Sequence, residues 1–250
     1  MPALILFPLG LVLGSFVTAV AHRVPRGESW VAGRSQCPSC KAEIAAYDNV
    51  PLLSWLVLGG RCRRCRAPIS ARYPLTELGL ALLYVATYLL LGTDSLAELA
   101  LGLIFCTLLA AITLTDLERR VIPNQIVLAG SVAALAIVLF ADPSSLAERA
   151  IAALAAGGVL FVVVMAYPRG MGMGDAKLAG VMGLYLGAAV APAILIGLLA
   201  GSVLGAALLA RHGSAARKMA IPFGPFLALG GVVALWFGEA IVNWYAGRFG

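Results

Sequence analysis

The sequence predicts an all-helical protein that crosses a membrane about eight times, with one polar loop between the first and second membrane helices. Hydrophobic residues make up 61% of the 250 residues and charged residues only 12%, whereas soluble domains are roughly half apolar and about a quarter charged. The mean hydropathy is +0.95. Several uncharged stretches also approach or exceed the length of about 20 apolar residues that a spanning helix needs.

Uncharged apolar stretches predict the membrane helices in order along the chain. These stretches are residues 1–21, 78–93, 99–115, 121–141, 150–168, 178–210 and 219–238. The stretch 178–210 is too long for one crossing, and Ala191-Pro192-Ala193 near its middle predicts two helices joined by a tight turn. We therefore expect a first membrane helix at 1–21, a polar loop at 22–75 and a seven-helix membrane core at 76–250.

The distribution of basic residues predicts the orientation in the membrane. Sixteen of the 18 Lys and Arg residues fall in four segments that an eight-helix topology places on one side. These segments are residues 22–75, 116–120, 167–177 and 211–219. Because basic residues are retained on the cytoplasmic side, the N-terminus is expected outside and the polar loop in the cytoplasm. No basic residue precedes the first apolar stretch, which argues against a cleavable signal peptide.

Two Cys-x-x-Cys pairs in the polar loop indicate a metal site. Cys37-Pro-Ser-Cys40 and Cys62-Arg-Arg-Cys65 are separated by 21 residues, a pattern typical of zinc ribbons. Four thiolates at about 2.3 Å complete a tetrahedral Zn²⁺ and leave no position for catalysis, so the zinc is expected to be structural. Disulfides or unliganded thiols are the alternatives, and a cytoplasmic loop disfavours disulfides.

Four arginines surround the second cysteine pair, namely Arg61, Arg63, Arg64 and Arg66. Arginines on a zinc ribbon can contact nucleic acid, but they can equally contact anionic lipid headgroups. Because the loop is tethered to the membrane at both ends, we expect membrane lipid as the partner and no nucleic acid.

Two aspartates lie at the ends of apolar stretches. Asp116 follows the third stretch and Asp175 precedes the sixth. The third helix runs inward and the sixth outward, so both carboxylates are expected at the cytoplasmic boundary. Two adjacent carboxylates in a partly dry site can share one proton and together activate water against an amide. Alternatively, Asp175 caps its helix and Asp116 is a solvated charge at a helix end.

Other residues beside these features have candidate supporting roles. Gly172 and Gly174 would let an extended substrate backbone approach Asp175. Lys177 would stabilise a carboxylate, bind substrate or extend its ammonium group to the surface. Glu77, near the start of the second helix, would complement the dipole of that helix.

These residues together resemble the type IV prepilin peptidases, membrane aspartyl proteases of the GxGD kind, over nearly the whole chain. The combination of a tetracysteine loop, an Asp seven residues before Pro123-Asn124, and Gly172-Met-Gly-Asp175 is highly specific. The other matching segments are Gly14-Ser-Phe16, Arg23-Val-Pro25, Tyr47 to Trp55, Ile69 to Glu77, and Pro222-Phe-Gly-Pro-Phe226.

The resemblance implies a peptidase of the bacterial inner membrane with Asp116 and Asp175 as its catalytic pair. It would remove the short basic leader of prepilins and pseudopilins after a glycine, at the cytoplasmic face, for pilus or secretion-machinery assembly. Family members with the tetracysteine loop also methylate the new N-terminal residue with S-adenosylmethionine. This chain departs from the family in one place, because Thr18 stands where an Asn is usual, which weakens the expectation of methylation.

Two other functions are compatible with parts of the sequence. An ion- or proton-coupled transporter could use the two aspartates, but it predicts carboxylates near the bilayer midplane and repeated broken helices. A membrane-tethered zinc-ribbon adaptor would need only the loop, and its function would survive the loss of both aspartates.

Overall fold

The computed structural model describes residues 2–30, 34–92, 95–168, 170–213 and 221–249. Within these ranges the chain is helical, and its only β-type pairings are two isolated bridges. The helices are α1 (Pro2–Arg23), α2 (Leu53–Val57), α3 (Arg72–Leu91), α4 (Leu96–Arg119), α5 (Asn124–Ala141), α6 (Leu146–Ala166), α7 (Met173–Leu186), α8 (Val190–His212) and α9 (Gly224–Phe249). The all-helical prediction is confirmed.

Seven segments of the described chain are long and apolar enough to cross a membrane. The longest of them, Met173–His212, has 40 residues and contains two helices, α7 and α8. The expectation of about eight membrane helices therefore agrees with the structure, and the protein is a multi-pass membrane protein. Three residues that entered the charge count, Arg169, Arg217 and Lys218, lie outside the described residues.

The break between α7 and α8 lies at Gly187–Ala189 rather than at the predicted Ala191-Pro192-Ala193. Gly187 has a φ of +54°, a left-handed conformation that glycine adopts readily. Pro192 is the third residue of α8. Proline is tolerated there because the first N–H groups of a helix have no intrahelical acceptor. Pro192 therefore lies in the first turn of the second helix, and the chain turns at the preceding glycine.

The chain divides into two compact units, Met1–Gly92 and Thr93–Gly250. In the first unit α1 packs directly against α3. A Cβ added to Gly10 would lie 2.5 Å from the Cα of Ala81, and one added to Gly14 would lie 2.6 Å from the Cα of Glu77. Small residues allow this close backbone approach between membrane helices. The expected membrane core, residues 76–250, begins within α3, whereas α3 belongs to the first unit.

The second unit contains α4 to α9, and several contacts fix the short helix α7 within it. The ring of Tyr185 stacks on Phe105 of α4 with centroids 4.8 Å apart, and its hydroxyl donates a buried hydrogen bond of 2.7 Å to the Gly130 carbonyl of α5. The Arg149 guanidinium of α6 donates to the carbonyls of Leu184 and Tyr185, which satisfies the C-terminal end of α7. Helix α7 is thereby held by three neighbours.

Candidate functional site

Asp116 lies in the last turn of α4 and is 6% exposed. The C-terminal end of a helix carries partial negative charge and disfavours a carboxylate. A second helix offsets this effect, because the Gly224 amide at the start of α9 donates a buried hydrogen bond of 2.8 Å to Asp116 Oδ2. The partial positive charge at the α9 N-terminus therefore faces Asp116.

Gly224 makes this contact possible because it has no side chain. A Cβ at this position would lie 2.8 Å from Asp116 Oδ2 and 3.2 Å from its Cγ, too close for an unshifted carboxylate. Gly224 is not among the site residues predicted from the sequence, although the segment around it carries part of the family resemblance. A glycine between two prolines at the start of an apolar stretch is a usable signal, since a helix N-terminus offers free amides to anions.

Asp175 lies in the first turn of α7 and is 7% exposed. Its Oδ2 accepts a hydrogen bond of 3.0 Å from the Gly172 amide, as an acidic residue in a capping box does. Helix capping is the alternative that the sequence leaves open to a functional role for Asp175. The structure shows the capping contact, and it also brings Asp175 near enough to Asp116 for the two carboxylates to interact electrostatically.

The start of α5 supports the turn that carries Asp175. A Cβ on Gly174 would lie 2.9 Å from the Cβ of Ile122, so the space beside this glycine is filled by the Ile122 side chain and not left open for a substrate backbone. Lys177 Nζ donates a hydrogen bond of 2.8 Å to Asn124 Oδ1 at the exposed surface. Ile122 and Asn124 were not predicted from the sequence as the partners of Gly174 and Lys177.

The arrangement can perform acid–base chemistry. Each aspartate has one oxygen held by a glycine amide, Asp116 by Gly224 and Asp175 by Gly172. The second oxygen of each carboxylate remains for a water molecule or a reacting group. Two neighbouring carboxylates that share a proton supply one acid and one base.

The four loop cysteines form a cluster in the first unit. The Sγ atoms of Cys37, Cys40, Cys62 and Cys65 all lie within 4.8 Å of one another, and those of Cys37 and Cys65 are 3.7 Å apart. Thiolates at about 2.3 Å from a tetrahedral Zn²⁺ are about 3.8 Å from each other, so the donor set fits zinc. None of the chain's five cysteines, all within the described ranges, forms a disulfide.

The two cysteine pairs have the same local backbone geometry. In the first, the Cys37 amide donates to the Ala42 carbonyl and the Lys41 amide to the Cys37 carbonyl, both at 2.9 Å. In the second, the Cys62 amide donates to the Ala67 carbonyl at 2.9 Å and the Arg66 amide to the Cys62 carbonyl at 3.0 Å. A sequence repeat encodes this shared geometry, Cys-x-x-Cys-(Lys/Arg)-Ala-x-Ile. It is a signal that was not used in the prediction.

Backbone amides also favour a thiolate in the first pair. Hydrogen bonds from the amides of Cys40 and Ser39 lower the pKa of Cys37 to about 6. The thiolate is the form of cysteine that binds metal, so Cys37 suits the role of a metal ligand.

The arginines around the second pair are not equivalent. Arg63 makes two hydrogen bonds with the Asp48 carboxylate, at 2.7 Å from Nε and 2.6 Å from a terminal nitrogen. The paired guanidinium holds the pKa of Asp48 below its usual range. All four arginines are exposed, and Arg63 also contributes to the folding of the loop through its contact with Asp48.

Comparisons with known families cover both units. Residues 9–91 match the bacterial peptidase A24 N-terminal domain, and residues 103–210 match the type IV leader peptidase family. Solved structures give no match.

Curated relatives extend the similarity over nearly the whole chain. A prepilin leader peptidase/N-methyltransferase of Aeromonas hydrophila is 37% identical over 98% of this chain and 94% of its own length. The protein of the same name from Burkholderia pseudomallei (strain K96243) is 35% identical over 92% of this chain and 84% of its own. The one from Bacillus subtilis (strain 168) is 34% identical over 96% of both chains. The chain therefore belongs to the type IV leader peptidase family.

Proposed function

We propose that this protein is a membrane aspartyl endopeptidase that removes the leader of prepilins and pseudopilins, and an N-methyltransferase that methylates the new N-terminal residue. The observation that carries the peptidase activity is the aspartate pair, two buried carboxylates each held through one oxygen by a glycine amide. The name shared by the curated relatives supports both activities.

Asp116 and Asp175 are the catalytic residues in this proposal. The ionised member of the pair takes a proton from a water molecule, whose oxygen attacks the carbonyl carbon of the scissile peptide bond. The protonated member donates its proton to the carbonyl oxygen, which gives a tetrahedral intermediate. The C–N bond of this intermediate then breaks, its nitrogen takes up the proton that was removed from water, and the downstream chain leaves with a free N-terminal amine. Because Gly224 and Gly172 fix the two carboxylates, the acid and base are oriented before substrate binds, which lowers the barrier.

The location of the scissile bond follows from the ends of the helices. Asp116 lies at the C-terminal end of α4 and Asp175 at the N-terminal end of α7, and the excess of basic residues assigns these ends to the cytoplasmic side of the bacterial inner membrane. The N-terminus is then outside. A substrate with a basic leader followed by an apolar helix keeps the leader in the cytoplasm. The peptide bond between the leader and the helix therefore lies at the cytoplasmic face of the membrane, where the two aspartates are proposed to be.

The loop of residues 22–75 holds the structural zinc in this proposal. Cys37, Cys40, Cys62 and Cys65 are the four ligands, and a filled tetrahedral shell gives the ion no role in either reaction. S-adenosylmethionine supplies the methyl group when bound. The proposal assigns no residues to its binding.

The direct test uses the purified chain with a prepilin-type substrate, with and without S-adenosylmethionine, and reads the intact product mass. We expect loss of the leader without the methyl donor, and loss of the leader plus gain of one methyl group with it. Asp116→Asn and Asp175→Asn should each abolish cleavage while the protein still inserts into membranes. Asp142→Asn, at an exposed turn between α5 and α6, is the matched control and should cleave normally.

Each alternative outcome has a distinct meaning. Normal cleavage by either catalytic variant would reject the aspartyl mechanism. Failure of the wild-type chain to cleave an authentic partner substrate would favour the transporter or adaptor hypothesis. Cleavage without methylation would leave the peptidase activity alone, and Thr18 would be the first residue to exchange, for Asn.

A further inference from the structure

The described residues contain three buried acidic side chains, Asp116, Asp175 and Glu77. The first two form the proposed peptidase site. Glu77 lies on α3 in the first unit and is 6% exposed, and no lysine or arginine within the described ranges forms a salt bridge with it. A buried carboxylate without a cationic partner needs hydrogen bonds to offset its lost hydration, so its partners indicate what it does.

The partners of Glu77 come from two other segments of the first unit. Its Oε2 accepts a hydrogen bond of 2.7 Å from the Leu52 amide, and the Ser15 hydroxyl of α1 also hydrogen-bonds the carboxylate. Helices α1 and α3 are also in close contact at this level, where Gly14 faces the Cα of Glu77. One side chain therefore joins α1, α3 and the polar loop. The dipole role expected from the sequence is not the main one, because Glu77 is the sixth residue of α3 and the effect decays within the first turn.

The loop residue that Glu77 binds has an unusual backbone conformation. Leu52 has a φ of +61° and a ψ of −51°, outside the regions that residues with a side chain normally adopt. Such conformations persist where surrounding contacts enforce them, and they concentrate at functional sites. The hydrogen bond to Glu77 is the contact that anchors this turn to the helix pair.

The anchored turn continues into the metal-binding part of the loop. Leu52 immediately precedes α2, and Trp55 within α2 donates a hydrogen bond of 3.1 Å from Nε1 to the Ile69 carbonyl. The Ile69 amide in turn donates to the Gly60 carbonyl at 2.7 Å, on the strand-like segment that leads into Cys62. Hydrogen bonds thus connect Glu77 through α2 to the second cysteine pair.

We infer that Glu77 is a positioning residue for methyl transfer, which fixes the polar loop at a set height on helices α1 and α3. The inference rests on the methyltransferase half of the proposed function. The acceptor amine is the N-terminus of a substrate helix whose depth the bilayer fixes, so the loop must be held at a matching depth. Glu77 itself exchanges no proton in this role. Its contribution is an acceptor oxygen at the right place for the Leu52 amide.

Three substitutions at position 77 separate geometry from charge. Glu77→Gln removes the charge but keeps an oxygen that can accept from Leu52 and an amide that can donate to Ser15. Glu77→Asp keeps the charge but is one methylene shorter, which breaks the 2.7 Å contact. Glu77→Ala removes both. A positioning role predicts that the Gln variant methylates best, whereas a proton-transfer role predicts that it is as inactive as the Ala variant.

The assay supplies an already processed pilin with a free N-terminus, labelled S-adenosylmethionine and the full-length chain in detergent, and measures methyl incorporation. Leader cleavage of an unprocessed substrate is measured separately. We expect methylation to fall at least tenfold in the Ala and Asp variants and by less than threefold in the Gln variant, with cleavage within twofold of wild type in all three. Glu43→Gln, at an exposed acidic residue of the same loop, is the matched control and should methylate within twofold of wild type.

The results that would overturn the inference are specific. Normal methylation by the Ala variant would show that the contact is dispensable, and a Gln variant less active than the Asp variant would assign Glu77 a charge-dependent role. If the Ala variant fails to accumulate, the order of the Gln and Asp variants still decides. Absence of methylation by the wild-type chain would count against the proposed methyltransferase function itself, and would be seen before any variant is compared.

Discussion

The contact between Gly224 and Asp116 gives a sharp test of how the aspartate pair is positioned. Alanine at position 224 places a Cβ 2.8 Å from Asp116 Oδ2, whereas ordinary contacts begin at 3.4 Å. The carboxylate must therefore move by about 0.6 Å, while the backbone amide donor is retained. Because a misplacement of about 1 Å at a reacting group can cost roughly a hundredfold in rate, we expect the kcat of leader cleavage to fall by roughly ten- to a hundredfold.

Gly172 provides the matched control, since its amide holds the other aspartate. A Cβ on Gly172 would lie 3.4 Å from Asp175 Oδ2, an ordinary contact distance, and its φ of −86° suits any residue. Gly172→Ala should therefore cleave within about twofold of wild type. The two glycines donate equivalent hydrogen bonds, so only the space beside the carboxylate distinguishes the two substitutions.

The assay measures kcat and KM for leader cleavage by both variants, together with their thermal denaturation in detergent. Gly224→Ala should lower kcat and leave KM within about threefold, because the substrate-binding surface is unchanged. It should also retain methylation of an already processed substrate, which reports on folding. A Gly224→Ala variant with wild-type kcat, or a Gly172→Ala variant that is equally impaired, would refute this account of the site.

Two further predictions concern the loop and the support of α7. Cys40→Ser should lower the zinc content of the purified chain below one equivalent and reduce methylation. Cleavage should persist, because both aspartates lie in the other compact unit. Metal analysis that still finds stoichiometric zinc would contradict the ligand assignment. Tyr185→Phe should lower the free energy of unfolding by about 0.5–1.5 kcal/mol, since it removes the buried hydrogen bond to Gly130. An unchanged denaturation midpoint in detergent would show that this bond contributes nothing to stability.

Membrane chemistry explains why the fold class could be predicted from the sequence. A backbone in lipid must satisfy its own hydrogen bonds, so long apolar stretches become helices whatever their neighbours are. The position of a break is a weaker signal. Pro192 suggested the turn between α7 and α8, but a proline in a first helical turn is not disruptive, and the chain turns at Gly187 instead.

The candidate site was predictable only in part. Its acidic residues stand out because ionisable side chains are rare in membrane-spanning segments, and its cysteines stand out by their paired spacing. The Gly172 amide that holds Asp175 is only three residues away, but the backbone amides that hold Asp116 and Glu77 are brought to them by tertiary packing. Gly224 is 108 residues from Asp116 in sequence, and Leu52 is 25 residues from Glu77. No local spacing rule connects such pairs.

The repeated geometry of the two cysteine pairs affects how the loop depends on its metal. Each pair closes its own turn through backbone hydrogen bonds, so we expect each turn to keep its shape when the ion is removed. What the ion adds is a cross-link across the 21 residues between Cys40 and Cys62, which restricts the conformational entropy of that segment as any loop closure does. Chelation should therefore separate two intact halves of the loop, and the change should reverse when zinc is restored.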